Sequence, residues 1–173
     1  MGNKERQFQA LVHAFSARLY RYAYWLCGER ALAEDLVQET FTRAWKSLGS
    51  LKDESAAKSW LMTILHRENA RRFERKQPVT VDIEYANLAA GQGCGPEHDM
   101  ERGLLHRAIL SLKPEYREPL IMQVIGGFSY EEIGKALGLD KGALVMRLYR
   151  AKRKLSAILT DTHDLGAVSK HDG

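Results

Sequence analysis

The sequence predicts an all-α chain: two small helical domains joined by a flexible acidic linker. Three observations carry that reading. Apolar residues recur at steps of three and four through most of residues 8–76 and again beyond residue 101. Between these stretches Pro78, Gly91, Gly93, Gly95 and Pro96 break any period. Charge divides in the same way: residues 1–76 hold 14 basic and 9 acidic side chains, residues 77–101 hold five acids and no Lys or Arg, and residues 102–173 hold 12 basic and 8 acidic ones.

Element by element, Leu11, Phe15, Leu19, Tyr22 and Leu26 define a first helix over 8–26. A second helix is predicted over 31–48, with Val37, Phe41, Ala44, Trp45 and Leu48 on its core face. Gly49 to Ser55 reads as a loop, and a third helix runs from Ser59 to Lys76 with Trp60, Leu61, Ile64, Leu65 and Phe73 on its apolar stripe. Residues 77–100 read as the linker, although Val79-Thr80-Val81 would also suit a brief strand. Leu104, Leu105, Ala108, Ile109 and Leu112 open the second domain. Pro114 suits the first turn of the next helix, which carries Leu120, Ile121, Val124 and Ile125 and stops at Gly126-Gly127. Ser129 with Glu132 forms a capping box, and Gly138 supplies a left-handed stop. The final helix is expected over 141–159, with 160–173 a disordered polar tail.

Several classes of function are disfavoured. No apolar run approaches the length of a membrane span, the N-terminus lacks the apolar core of a signal peptide, and a cytoplasmic protein is expected. Cys27 reads as a small core residue, while Cys94 with His98 offers two metal ligands at best, so neither a metal nor a cofactor is expected. His13, His66 and His106 have no nucleophile or carboxylate at a useful spacing. The chain reads as a non-enzyme.

Three motifs remain. Ser129 to Leu155 has the capping, turn length and basic second helix of a helix–turn–helix unit, with Ala143, Leu144, Leu148, Ala151 and Leu155 turned inward and Arg147, Arg150, Lys152, Arg153 and Lys154 for DNA. A plain helical hairpin with a solvated basic face is the alternative. On the second helix, Asp35, Gln38, Glu39 and Thr42 share one face at spacings of three and four. On the third, Arg67, Arg71 and Arg75 repeat every fourth residue, with Asn69, Arg72 and Trp60 nearby, a pattern that suits a nucleic-acid strand unless the helix is merely solvated and ion-paired.

Taken in order, these segments closely resemble the extracytoplasmic-function group of bacterial sigma-70-family transcription initiation factors. The resemblance rests on Ala33-Glu34-Asp35-Leu36-Val37-Gln38-Glu39-Thr40-Phe41 with Ala44-Trp45, on Ser59-Trp60-Leu61 with Ile64, and on Leu112 to Leu155. It implies region 2 over residues 1–76 and region 4 over 101–159. Asp35, Gln38, Glu39 and Thr42 would dock on the β′ clamp helices of core RNA polymerase. Lys52, Lys58, Trp60, Arg67, Asn69, Arg71 and Arg72 would bind and melt the −10 element, with Arg67 where some members carry Asn. Gln123, Lys141, Val145, Met146, Arg147, Tyr149, Arg150, Lys152 and Arg153 would meet the −35 element, while region 4 also contacts the β flap. The acidic linker would follow the RNA exit channel, and an anti-sigma factor is an expected partner.

One departure stands out. Many members place Thr and a polar pair at the start of the recognition helix, where this chain has Ala143, Val145 and Met146. Such groups cannot donate to guanine but can pack on a thymine methyl, which leaves more of the readout to backbone and shape. A stand-alone helix–turn–helix regulator is the competing reading; it would need no exposed Asp35/Gln38/Glu39 face.

Overall fold

The computed structural model describes residues 2–75 and 96–168, all helix or short connection. They fall into two units, divided between residues 85 and 86. The first unit comprises α1 (Asn3–Cys27), α2 (Arg30–Lys46) and α3 (Ala57–Arg75), with 3-10 turns at Leu48–Ser50 and Glu54–Ala56. Gly28 ends α1 in the left-handed region (φ 77°), its N–H donating to the Tyr24 carbonyl at 2.8 Å, so that α2 can fold back along α1. Leu19, Tyr22 and Leu26 of α1, Leu36 of α2 and Leu61 and Leu65 of α3 are fully buried and fill the space between the three helices.

The expected core face of the second helix holds at Ala44 and Leu48 but not at Val37, Phe41 and Trp45. The buried positions of α2 are Ala33, Leu36, Thr40 and Ala44, whereas Val37, Phe41 and Trp45 are only half-buried. Small side chains let neighbouring backbones approach, and the Thr40 hydroxyl is satisfied by the Leu36 carbonyl at 2.7 Å. Phe41 and Trp45 instead meet Phe8 of α1 edge-on, with ring centroids 6.1 and 5.1 Å away.

The second unit comprises α4 (Pro96–Ser111), α5 (Pro114–Val124), α6 (Tyr130–Leu137) and α7 (Lys141–Val168). Ala108, Ile109, Leu112, Leu120, Ile121, Met122, Ile133, Leu144, Leu148 and Ala151 form its core. Buried Arg117 donates to the Leu110 carbonyl at 2.9 Å, tying α5 to the end of α4. Val124, expected on the apolar stripe, is 63% exposed at the end of α5.

Several boundaries shift: α1 begins at Asn3 rather than residue 8, and α2 ends at Lys46 rather than 48. Helix α4 takes residues 96–100 from the expected linker, because Pro96 stands at a first helical position that tolerates its missing N–H. Helix α7 runs to Val168, past the expected stop at 159, since no Pro interrupts 156–168 and one Gly is not enough to end a helix. The linker residues 76–95, including the Val79–Val81 run and Cys94, lie outside the described residues, as do 169–173 of the tail.

Candidate functional site

The face predicted on α2 exists. Asp35, Gln38 and Thr42 are exposed and Glu39 half-exposed, on the side of α2 opposite its buried small residues. They line a polar cleft of about 380 Å³ together with Arg43, Glu68, Arg71 and Arg72, so its walls are α2 and α3. Charges cross the cleft in order. Arg72 donates to the Leu32 carbonyl at 3.1 Å and to the Asp35 carboxylate at 3.3 Å. Arg43 pairs with Glu39 at 3.1 Å and with Glu68 at 3.5 Å, and Glu68 also holds Arg71 at 2.8 Å. Glu68 is the buried member, with its side chain 9% exposed, and it anchors two arginines that are about half-exposed (43% and 51%).

The basic stripe of α3 therefore divides. Arg67 is exposed, as is Lys52 in the preceding loop, while Lys58 is half-buried near the start of α3. Arg71 and Arg72, expected on DNA, instead turn into the α2–α3 cleft and hold carboxylates there. Trp60 is half-buried against the cluster of Leu11, Leu48 and Ala57. Asn69 is a correction of another kind: at 3% exposure, with its side-chain amide nitrogen unpartnered, it lies in the interior of the bundle and cannot meet an incoming strand. Beside it His66 is buried, and burial, aided by the charge of Arg67, pushes its imidazole below the usual 6.5.

In the second unit the predicted capping box is present. The Ser129 hydroxyl accepts from the Glu132 N–H at 3.2 Å, and the Glu132 carboxylate accepts from the Ser129 N–H at 2.7 Å. Gly138 is left-handed (φ 65°), and the Leu139 N–H returns to the Gly134 carbonyl at 2.9 Å, closing the turn. Asp140 caps α7 by accepting from the Ala143 N–H at 2.9 Å. This fixes the departure of α7 from α6.

Along α7, Leu144, Leu148 and Ala151 point inward, while Lys141, Val145, Met146, Tyr149, Arg150, Lys152 and Arg153 are exposed. The Arg153 guanidinium lies 5.8 Å from the Tyr149 ring centroid. Arg147 is half-buried; burial raises the pKa of Glu118 on α5, and the nearby charges of Arg117 and Arg147 oppose that rise. Gln123 is also half-buried, with its side-chain oxygen buried and unpartnered. These two expected −35 contacts are thus partly withdrawn into the unit.

Sequence reasoning missed Arg43, and it read Glu68 only as tempering the charge of an ion-paired α3. The spacings Glu39–Arg43 and Glu68–Arg71 would have suggested pairs within each helix, but the link from Arg43 to Glu68 crosses between helices and has no sequence signature. Cys27 is half-buried, its thiol raised by burial. Among the described residues no cluster of three His, Cys, Asp or Glu side chains could hold a metal ion, and no helix is long and apolar enough to cross a membrane.

Comparison with known proteins agrees with this division. A model of sigma-70 region 2 matches residues 11–79, and one of sigma-70 region 4 matches residues 102–155. The chain is 34% identical to the ECF RNA polymerase sigma factor EcfG of Rhodopseudomonas palustris, over 82% of this chain and 78% of that one. It belongs to the extracytoplasmic-function group of the sigma-70 family. Members of this family are initiation factors rather than enzymes. The chain is also 36% identical to the ECF sigma factor SigE of Mycolicibacterium smegmatis over 84% of its own length, but it spans only 58% of SigE. Among solved structures, the sigma factor RpoE of Bartonella quintana, described in complex with the anti-sigma factor NepR, is 27% identical, with a TM-score of 0.66 over 90% of this chain and 96% of that one. Both region 2 and region 4 are thus present, and each corresponds to one of the two helical units.

Proposed function

We propose that this chain is a dissociable initiation factor that binds core RNA polymerase in the cytoplasm and gives it promoter choice. The observation that carries this reading is the Asp35–Gln38–Glu39–Thr42 face. It is a contiguous polar surface on a helix whose other side is buried, in a chain whose second unit holds a capped helix–turn–helix. A regulator working alone would have no use for that face. In this reading region 2 docks on the β′ clamp helices through α2 and presents Lys52, Lys58, Trp60 and Arg67 to the −10 element. Region 4 sets α7 on the −35 element and contacts the β flap.

The roles of Arg71 and Arg72 change accordingly. Held against Glu68 and Asp35, they position the docking face, and Arg67 with the connection between α2 and α3 that holds Lys52 carries more of the −10 contact. An anti-sigma factor is a further expected partner. Support comes from the likeness to RpoE, and from the exposed polar face of α2, a surface that a helical partner would cover.

The test is binding to purified bacterial core polymerase. Asp35→Ala with Gln38→Ala should abolish co-elution while moving the melting temperature little, since both side chains are exposed and each change is worth roughly 0.5 kcal/mol or less. Co-elution of the double variant at wild-type level would refute the docking assignment.

A further inference from the structure

The start of α7 carries an unusual chemical surface for a helix set to enter a major groove. At about 100° per residue, Met146 stands roughly opposite the inward line of Leu144, Leu148 and Ala151. It therefore marks the outermost line of the helix, with Gly142 one turn before it and Tyr149 and Arg153 after it. Gly142 contributes no side chain there. Met146 is 48% exposed, Val145 41% and Tyr149 54%, although large apolar side chains of this kind usually find cover. Of the two side chains on the first turns able to donate to guanine, Arg147 is half-buried beside Glu118, and Lys141 is exposed at the helix start, to one side of the Met146 line. Tyr149 is flanked by the Arg153 guanidinium, 5.8 Å from its ring.

The surroundings of this patch identify what covers it. From Lys141 to Thr160 helix α7 has no Asp or Glu, and Lys141, Arg150, Lys152, Arg153 and Lys154 are all exposed around the apolar line. A cationic rim around an apolar centre fits a polyanion that presents apolar groups between its phosphates. In duplex DNA the apolar group on the major-groove edge is the C5-methyl of thymine.

We propose that Met146, flanked by Val145 and Tyr149, reads thymine C5-methyl groups in the −35 duplex. This rests on the promoter-binding reading above. The sulfur and methyl of Met146 adapt to the position of the base, and Val145 shields one side from water. Loss of one methyl from the contact should weaken binding about three- to five-fold.

The experiment uses the full chain bound to core polymerase. A duplex promoter library randomised across the −35 element is selected for holoenzyme binding, and transcription from the winning promoter is confirmed. Each thymine of the winning element is then replaced in turn by deoxyuracil, which keeps the hydrogen-bonding edge and removes only the methyl. We expect one or two positions at which deoxyuracil weakens binding about three- to five-fold, with Met146→Ala abolishing that difference at the same positions. Both Met146 and Val145 are exposed, so their alanine variants should keep the fold, which circular dichroism checks. An active promoter at which every deoxyuracil replacement is neutral, or at which Met146→Ala leaves the methyl effect intact, overturns the inference alone. Failure to obtain any promoter-dependent transcript overturns the promoter-binding reading and this inference with it.

Discussion

Two glycines of the helix–turn–helix permit a paired prediction. Gly138 caps α6 at φ 65°, and a Cβ built there would meet nothing within 4 Å. Gly138→Ala therefore carries only the backbone penalty of a left-handed L-residue, about 1 kcal/mol. For a unit of this size that lowers the melting temperature by about 4–8 °C. The turn keeps its shape, because nothing needs to move to admit the methyl. Gly134 lies inside α6 in the right-handed region, yet a Cβ there would stand 2.8 Å from the Leu139 carbonyl oxygen, which belongs to the turn backbone. That carbonyl cannot swing aside as a side chain would. Gly134→Val adds two further methyls to the crowded spot, so the overpacking cost is about 1–3 kcal/mol or more, and α6 must shift relative to the turn. The consequence separates the two variants: Gly138→Ala should keep wild-type −35 binding at temperatures where it is folded. Gly134→Val should lose most of that binding, because the departure of α7 is set at the displaced turn. Differential scanning fluorimetry and fluorescence anisotropy of holoenzyme on a promoter duplex measure both. If Gly134→Val bound promoter as tightly as wild type, the turn would not be what fixes the placement of α7.

Two other outcomes follow from the same structure. Burial lowers the His66 pKa in the fold, whereas the unfolded chain protonates it near 6.5, so its contribution to stability is complete above that pH and is lost as pH falls below it towards the depressed folded value. Melting temperature should therefore drop between pH 7 and 5 more steeply in wild type than in His66→Gln, and equal slopes would contradict the assignment. Arg150 is exposed beyond the first turn of α7, where phosphates are the nearer target. Arg150→Ala should weaken all promoter sequences alike and lower the slope of log affinity against log salt by about one unit, whereas a changed base preference would place Arg150 at a base edge.

The features that were legible in the sequence are local. The Ser129–Glu132 box, the Pro114 start and the Gly138 stop each involve residues within four positions of one another, and all three lie where their spacing puts them. Features that depend on a second helix were not legible. Val37, Phe41 and Trp45 have the period of a core stripe, but a neighbouring stripe of small residues permits the closer helix approach, leaving the aromatics to meet Phe8 at the margin. Arg72 looked like part of a nucleic-acid stripe because the carboxylate it holds, Asp35, lies on another helix and carries no mark of facing it, whereas Glu68, three residues before Arg71, is the local partner an ion-paired helix would use. Asn69 shares the polarity of an exposed residue and gives no sign in the sequence of its burial. The shared face of Asp35, Gln38, Glu39 and Thr42 was legible because helical spacing gathers them on one side of α2, whereas the docking role proposed for it comes from the resemblance and not from spacing.

Run-off transcription tests the central claim most directly. Purified bacterial core polymerase would be supplied with genomic promoter fragments, with and without this chain. The account predicts promoter-dependent transcripts that appear only when the chain is present and disappear when Asp35 and Gln38 are both changed to alanine. No new transcript, together with tight binding of the chain alone to duplex promoter DNA, would contradict it and favour a regulator that acts without polymerase.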